Sequence, residues 1–237
     1  MKKKILSVAL VVALIAIMVS GTLAYFTDND EVTNTFTIGS VKIEIYENNK
    51  ATDSDSFEFG KLTPIVNVDD PSSDASYIAK VVNVKNIGAN DAYIRTHIAI
   101  PTALVGYVYL DLNEDGWTRQ ADSTATVDGV AYTVFTYDYN TAVAPTVPTE
   151  VLLKGVYLGS KVDLEEDTHG DLYFVLRENG KITDRSGFLA HDKQDDGSYT
   201  SMKVNVLVAS QAIQAEGFSD ATTALNSGFV GNPWANN

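Results

Sequence analysis

The feature that most constrains this chain is alternation of apolar and polar residues, repeated along most of its length. Val41, Ile43 and Ile45 fall on one side of an extended backbone, with Lys42 and Glu44 on the other. A period of two marks a strand with one buried face, whereas a helix needs apolar residues three and four apart. The pattern returns in "SYIAKVVNVKN" and "DAYIRTHIAIP", a strong pair joined by "IGAN". In the second of these, Ile94, Thr96, Ile98 and Ile100 share one face, and Tyr93, Arg95 and His97 share the other, polar one. On that face His97 is expected to be exposed or partly packed. "GYVYLDL" and "WTRQ" flank "NEDG", which reads as a hairpin turn with Gly116 at positive φ. "VAYTVFTYDY" is aromatic and β-branched, as suits a pleated, half-buried surface. "TEVLLKGVYLG", "DLYFVLREN" and "MKVNVLVASQAIQ" follow, and "ENGK" at Glu178–Lys181 marks another tight hairpin.

Roughly eight to ten short strands separated by turn residues predict an all-β, antiparallel sandwich. The final element differs. Ser219 or Asp220 caps "DATTALNSG", Ala221, Ala224 and Leu225 form an apolar stripe, and Gly228 ends it. This predicts a short helix packed on the end of the sandwich. Residues 231–237, "GNPWANN", are expected to be loose, with Trp234 placed to tuck into a groove. Asp163–Asp196 is rich in charge and turn residues and reads as an elaborated loop insertion carrying its own hairpin. No repeat or linker divides residues 41–230, which read as one sandwich domain.

The N-terminus follows another pattern. Lys2, Lys3 and Lys4 precede an apolar run from Ile5 to Val19 interrupted only by Ser7, and Ser20-Gly21-Thr22 breaks it. Thr22 and Ala24 are small residues two apart, the pattern a signal peptidase reads, so cleavage is expected between Ala24 and Tyr25. Residues 1–24 are then a leader, and residues 25–40 an extended segment ahead of the domain. The competing reading is an uncleaved anchor, since a span needs about 20 residues. Acidic Asp28, Asp30 and Glu31 follow instead of a basic stop-transfer cluster.

Charge and composition exclude several classes. A net charge of −14 argues against nucleic acid, whose phosphates need clustered Lys and Arg. The absence of cysteine removes disulfides, thiolate catalysis and thiolate zinc sites. No H-E-x-x-H helix, G-x-S-x-G elbow or phosphate-binding glycine loop is present. Asp111, Asn113 and Asp115, with Asp122 at the twelfth position, match part of a calcium loop, although strands flank them and an Asp-Gly turn explains Asp115 and Gly116 without metal. His169 and His191 lie in acidic runs, where Asp167 and His169, with Asp163, Glu165, Asp171 and Asp192, could gather about a cation. The reading is therefore no enzyme and no cofactor, with calcium or zinc at these loops as the alternative.

The stretch "GTLAYFTDNDEVTNTFTIGSVKIEIYE" resembles the start of the TasA/camelysin family, secreted bacterial proteins released by a SipW-type signal peptidase. Members tend to show Gly-Thr-hydrophobic-Ala at the cut, then an aromatic and an Asp, then F-x-x-G-x-[VL]-x-[IL]. The matching residues here are Gly21, Thr22, Leu23 and Ala24, then Phe26 and Asp28, then Phe36, Gly39, Val41 and Ile43. "VNVLVASQAIQAEGFSDATTAL" is similar to the closing strand and helix of such proteins.

The resemblance implies a jelly-roll-like sandwich exported by a Gram-positive-type cell into extracellular biofilm-matrix or surface fibres, as subunit or accessory. The membrane is then met only in transit, through the leader. It further implies that the mature N-terminal segment is donated as a strand to the next subunit, self-associating head to tail or joining related matrix proteins. Phe26, Val32, Phe36 and Ile38 would fill alternate pockets, with Thr33, Thr35 and Thr37 facing out. Alternatively, these residues form the chain's own first strand. Some relatives are labelled metallopeptidases, so a camelysin-type metal-dependent endopeptidase is one alternative, although this chain shows no recognisable zinc ligand set. A monomeric cell-surface binding module using exposed tyrosines is the other alternative.

Overall fold

The computed structural model describes residues 27–30, 41–47, 50–51 and 63–235. Elements are numbered in chain order. One sheet contains β1 (Thr27–Asp30), β5 (Ala92–Pro101), β7 (Trp117–Arg119), β8 (Ser123–Val127), β9 (Val130–Tyr139) and β15 (Leu207–Gln214). Its order is β1-β15-β5-β9-β7, with β8 also paired to β9. The facing sheet contains β2 (Ile43–Glu47), β3 (Lys50–Ala51), β4 (Ile78–Asn86), β6 (Val108–Leu112) and β10 (Leu153–Leu158), ordered β3-β2-β4-β10-β6. All named strand pairs are antiparallel. The molecule is an all-β sandwich.

The core follows the alternation. Ile43, Ile45, Val82 and Val84 from one sheet meet Ile94, Ile98, Ile100, Tyr137 and Val208 from the other in one buried cluster. Each such side chain contributes about 1.5–3 kcal/mol by leaving water. This is why the period of two is so regular, with Ile43 and Ile45 buried on β2 and every second residue from Lys80 to Asn86 buried on β4.

Two connections differ from their local reading. "NEDG" does not close a hairpin. β6 pairs with β10 in one sheet and β7 with β9 in the other, so the turn crosses the sandwich. Gly116 does take positive φ, +78°, and a Cβ there would stand 3.1 Å from the Tyr139 ring. "IGAN" likewise carries the chain from β4 to β5 in the opposite sheet. Turn chemistry sets the reversal, but the partners waiting in each sheet decide where the next strand lands. "ENGK" is the hairpin expected, with Asn179 and Gly180 both at positive φ and Glu178 opposite Lys181. The Asp128-Gly129 pair makes the same kind of turn between β8 and β9.

The stretch read as a loop insertion is a sheet. β11 (Val162–Glu166), β12 (Leu172–Glu178), β13 (Lys181–Lys193) and β14 (Tyr199–Ser201) form a separate antiparallel layer in that order. Val162, Phe174 and Ala190 join it to the main core, and the Tyr107 hydroxyl donates to Asp184 at 2.9 Å. Its charged residues do not signal a loop, because they pair across strands, as Arg177 does with Asp163 and Glu165.

The short helix α1 (Ala221–Gly228) begins where expected, with the Asp220 carboxylate accepting from the Thr223 amide at 2.8 Å. Ala221, Ala224, Leu225 and Phe229 pack with Ile213 on the outer face of the first sheet. The residues expected to be loose then continue across the same face. Asn232 donates to the Ser123 hydroxyl, and Trp234 is buried against Ala99, Val134 and Ala209.

Candidate functional site

β15 is where the two ends of the described chain meet. Seven of its eight residues are buried. On one side it pairs with β5 along its whole length, from Leu207 opposite Ala99 to Gln214 opposite Ala92. On the other side Thr27, Asp28, Asn29 and Asp30 face Ile213, Ala212, Gln211 and Ser210. Among the described residues β1 is therefore the outermost strand of its sheet, paired through the backbone with β15 alone. Without it, β15 would present a row of unpaired N–H and C=O groups, the usual template for strand addition.

Behind this edge, the outer face of the first sheet carries a buried polar layer. Arg95 donates through Nε and Nη2 to the Asp138 carboxylate at 2.6 and 2.9 Å. Nη2 also donates to Asn226 of α1 at 2.7 Å, so the helix completes the pair. One step along β5, His97 Nδ1 lies 2.9 Å from the Thr136 hydroxyl and Nε2 lies 3.0 Å from Gln211 Oε1. Gln211 Oε1 can only accept, so Nε2 carries the proton and Nδ1 accepts from Thr136. Burial pushes the imidazole down to about 4; the Gln211 contact opposes this, while the charge of Arg95 reinforces it. His97 is 1% exposed, which corrects its placement on an open polar face. The cover comes from α1 and the following residues, with the Trp234 ring edge-on to His97 at 6.3 Å.

The residues expected to hold a cation lie in separate arrangements. Asp111 accepts from the Tyr77 hydroxyl at 2.8 Å, and Asn113 donates to the Val151 carbonyl at 3.1 Å. Asp115 occupies the turn, its amide 3.4 Å from Asn113 Oδ1, and Asp122 forms an ion pair with Arg119 at 3.0 Å. The calcium-loop spacing is therefore drawn out along a crossing between sheets. In the third sheet, Asp167 Oδ1 accepts from the amides of His169 and Asp171, and His169 Nδ1 is 3.6 Å from Asp167 Oδ2. That is a closed turn with an exposed histidine. His191 Nδ1 lies 3.0 Å from the Ser201 hydroxyl. Among the described residues, no three His, Cys, Asp or Glu side chains are grouped to hold a metal ion.

The cleavage residues Thr22, Ala24 and Tyr25 lie outside the described residues, as do the donor-strand residues Phe26, Val32, Phe36 and Ile38. The edge of β15 that pairs with Thr27–Asp30 is not among the residues that sequence reasoning singled out. The available signal was the continuous apolar run Val206–Ala209 in "VNVLVASQAIQ", which suits a strand covered on both faces. No family model, no curated protein and no solved structure matches this chain.

Proposed function

We infer that this protein is an exported structural subunit, or accessory, of an extracellular fibre, joined to its neighbour by its N-terminal segment. It acts by assembly and not by turnover. One observation carries the reading: the backbone of Thr27–Asp30 lies antiparallel on the outer edge of β15. An extended segment from a second copy would meet the same backbone groups in the same register. Only the connectivity distinguishes the two arrangements, which is the condition for strand exchange between protomers. Because donor and acceptor are different surfaces of the molecule, exchange continues head to tail and builds a filament. The basic, apolar and small-residue pattern of residues 2–24 supports export, with cleavage after Ala24 freeing the donor.

The same pairing, made within one chain, favours a second reading, a self-complemented monomer acting at the cell surface. Electron microscopy of protein beginning at Tyr25, beside protein beginning at Gly39, separates the two. Assembly by strand donation gives fibres from the first and dispersed particles from the second. Fibres from both, or from neither, would overturn it.

A further inference from the structure

The outer face of the second sheet carries three tyrosines in ring contact. Tyr109 on the edge strand β6 stands directly opposite Tyr157 on β10. Their ring centroids are 5.5 Å apart and their planes 10° from parallel. Tyr77 continues the row, 6.3 Å from Tyr157 and tilted by 28°. Glycines seat both ends. A Cβ on Gly155 would come within 2.2 Å of the Tyr77 ring, and one on Gly159 within 2.6 Å of Tyr109. Among the described residues, tyrosine-to-tyrosine ring contacts occur only in this row. Tyr109 is 44% exposed and so open to one-electron oxidation from solution, and Tyr157 is half-buried beside it.

We propose that Tyr109 and Tyr157 form an oxidative cross-linking site that yields a dityrosine bond between β6 and β10. The oxidant is hydrogen peroxide used by a haem peroxidase. Each phenol loses one electron and one proton, giving two phenoxyl radicals whose spin density includes the ring carbons ortho to oxygen. A carbon–carbon bond forms between one such carbon on each ring. The hydrogen on each bonded carbon then moves to its oxygen, restoring both phenols. The protein has lost two hydrogen atoms, and the peroxide, taking up two electrons and two protons, has become two waters. The near-parallel rings need only side-chain rotation to bring their ortho carbons together. Tyr77 competes less well, because its ring is farther away and more tilted, and its hydroxyl is held by Asp111 at 2.8 Å. The bond would fasten a free sheet edge, and it requires only the folded domain, not assembly.

The test treats the purified full chain with horseradish peroxidase and hydrogen peroxide. Intact mass, dityrosine fluorescence and a peptide digest are then read on the monomer band of a denaturing gel. The expected result is a monomer lighter by two hydrogens, with the peptides of Tyr109 and Tyr157 linked. Tyr109→Phe and Tyr157→Phe each keep a ring in the stack, checked by circular dichroism, and each abolishes the product. Tyr199→Phe, at an exposed tyrosine beside His191, leaves it intact. An unchanged monomer mass, a Tyr77–Tyr157 link in the wild-type digest, or product persisting in Tyr109→Phe would each overturn the assignment.

Discussion

Acidification should weaken this fold through one buried imidazole. His97 is held neutral, its value lowered from 6.5 to about 4 by burial first, with Arg95 adding to the effect. In the unfolded chain the ring takes a proton as pH falls through 6.5; in the folded chain it does so only near 4. The unfolded state therefore binds more protons across that window, and stability falls with pH. It is fully present above about 6.5, declines from there to about 4, and is lost below. At 1.36 kcal/mol per pKa unit, the loss between pH 7 and pH 4 is about 3 kcal/mol. That is a large part of the roughly 5–15 kcal/mol that holds a typical domain. The assay is urea unfolding of wild type and His97→Gln at closely spaced pH values, with a common slope confirming two-state behaviour. The variant sets the starting stability aside, because only the difference in pH dependence is read. Wild type should lose about 3 kcal/mol more than the variant over the window. Parallel curves for the two proteins would refute the reasoning.

Two further perturbations test the cover and the tyrosine row. Trp234→Ala removes a buried ring from the sheet's outer face, and a thermal melt should report a loss of about 3–5 kcal/mol. Gly155→Ala forces the Tyr77 ring off its seat, which should destabilise the protein by about 1–3 kcal/mol in urea and change its near-ultraviolet tyrosine circular dichroism.

The strands were legible because each solved a local problem. Ile43 and Ile45, or Ile94, Ile98 and Ile100, must leave water together, and alternation records that need in consecutive residues. Hairpins were legible when both strands stayed in one sheet, as at Asn179-Gly180. "IGAN" and "NEDG" contain the same turn residues, yet their strands separate, because β5 is claimed by β9 and β15 and β7 by β9. Those partners are distant in sequence and leave no trace in the turn. His97 was misplaced for the same reason, since the residues that bury it follow α1 at the far end of the chain. The candidate site was half legible. The extended character of the N-terminal segment is written in consecutive residues, whereas the β15 edge it lies on exists only once the sheet is assembled.

β15 belongs to the last part of the chain, and it pairs with both β5 and β1. A polypeptide emerging N-terminus first can pair β5, β9, β7 and β8 early, but β1 finds its place in the sheet only once β15 has appeared. Closing such long loops is entropically expensive and slow. During that delay Arg95, Asp138 and His97 remain hydrated and the edge of β5 remains open. Loss of β15 would therefore not yield a slightly smaller domain. It would yield a chain arrested before closure, with open edges that invite proteolysis or aggregation. The position of this strand ties the cover of the Arg95–Asp138 pair to residues more than a hundred positions later, since Asn226 reaches Arg95 only after β15 has joined the sheet.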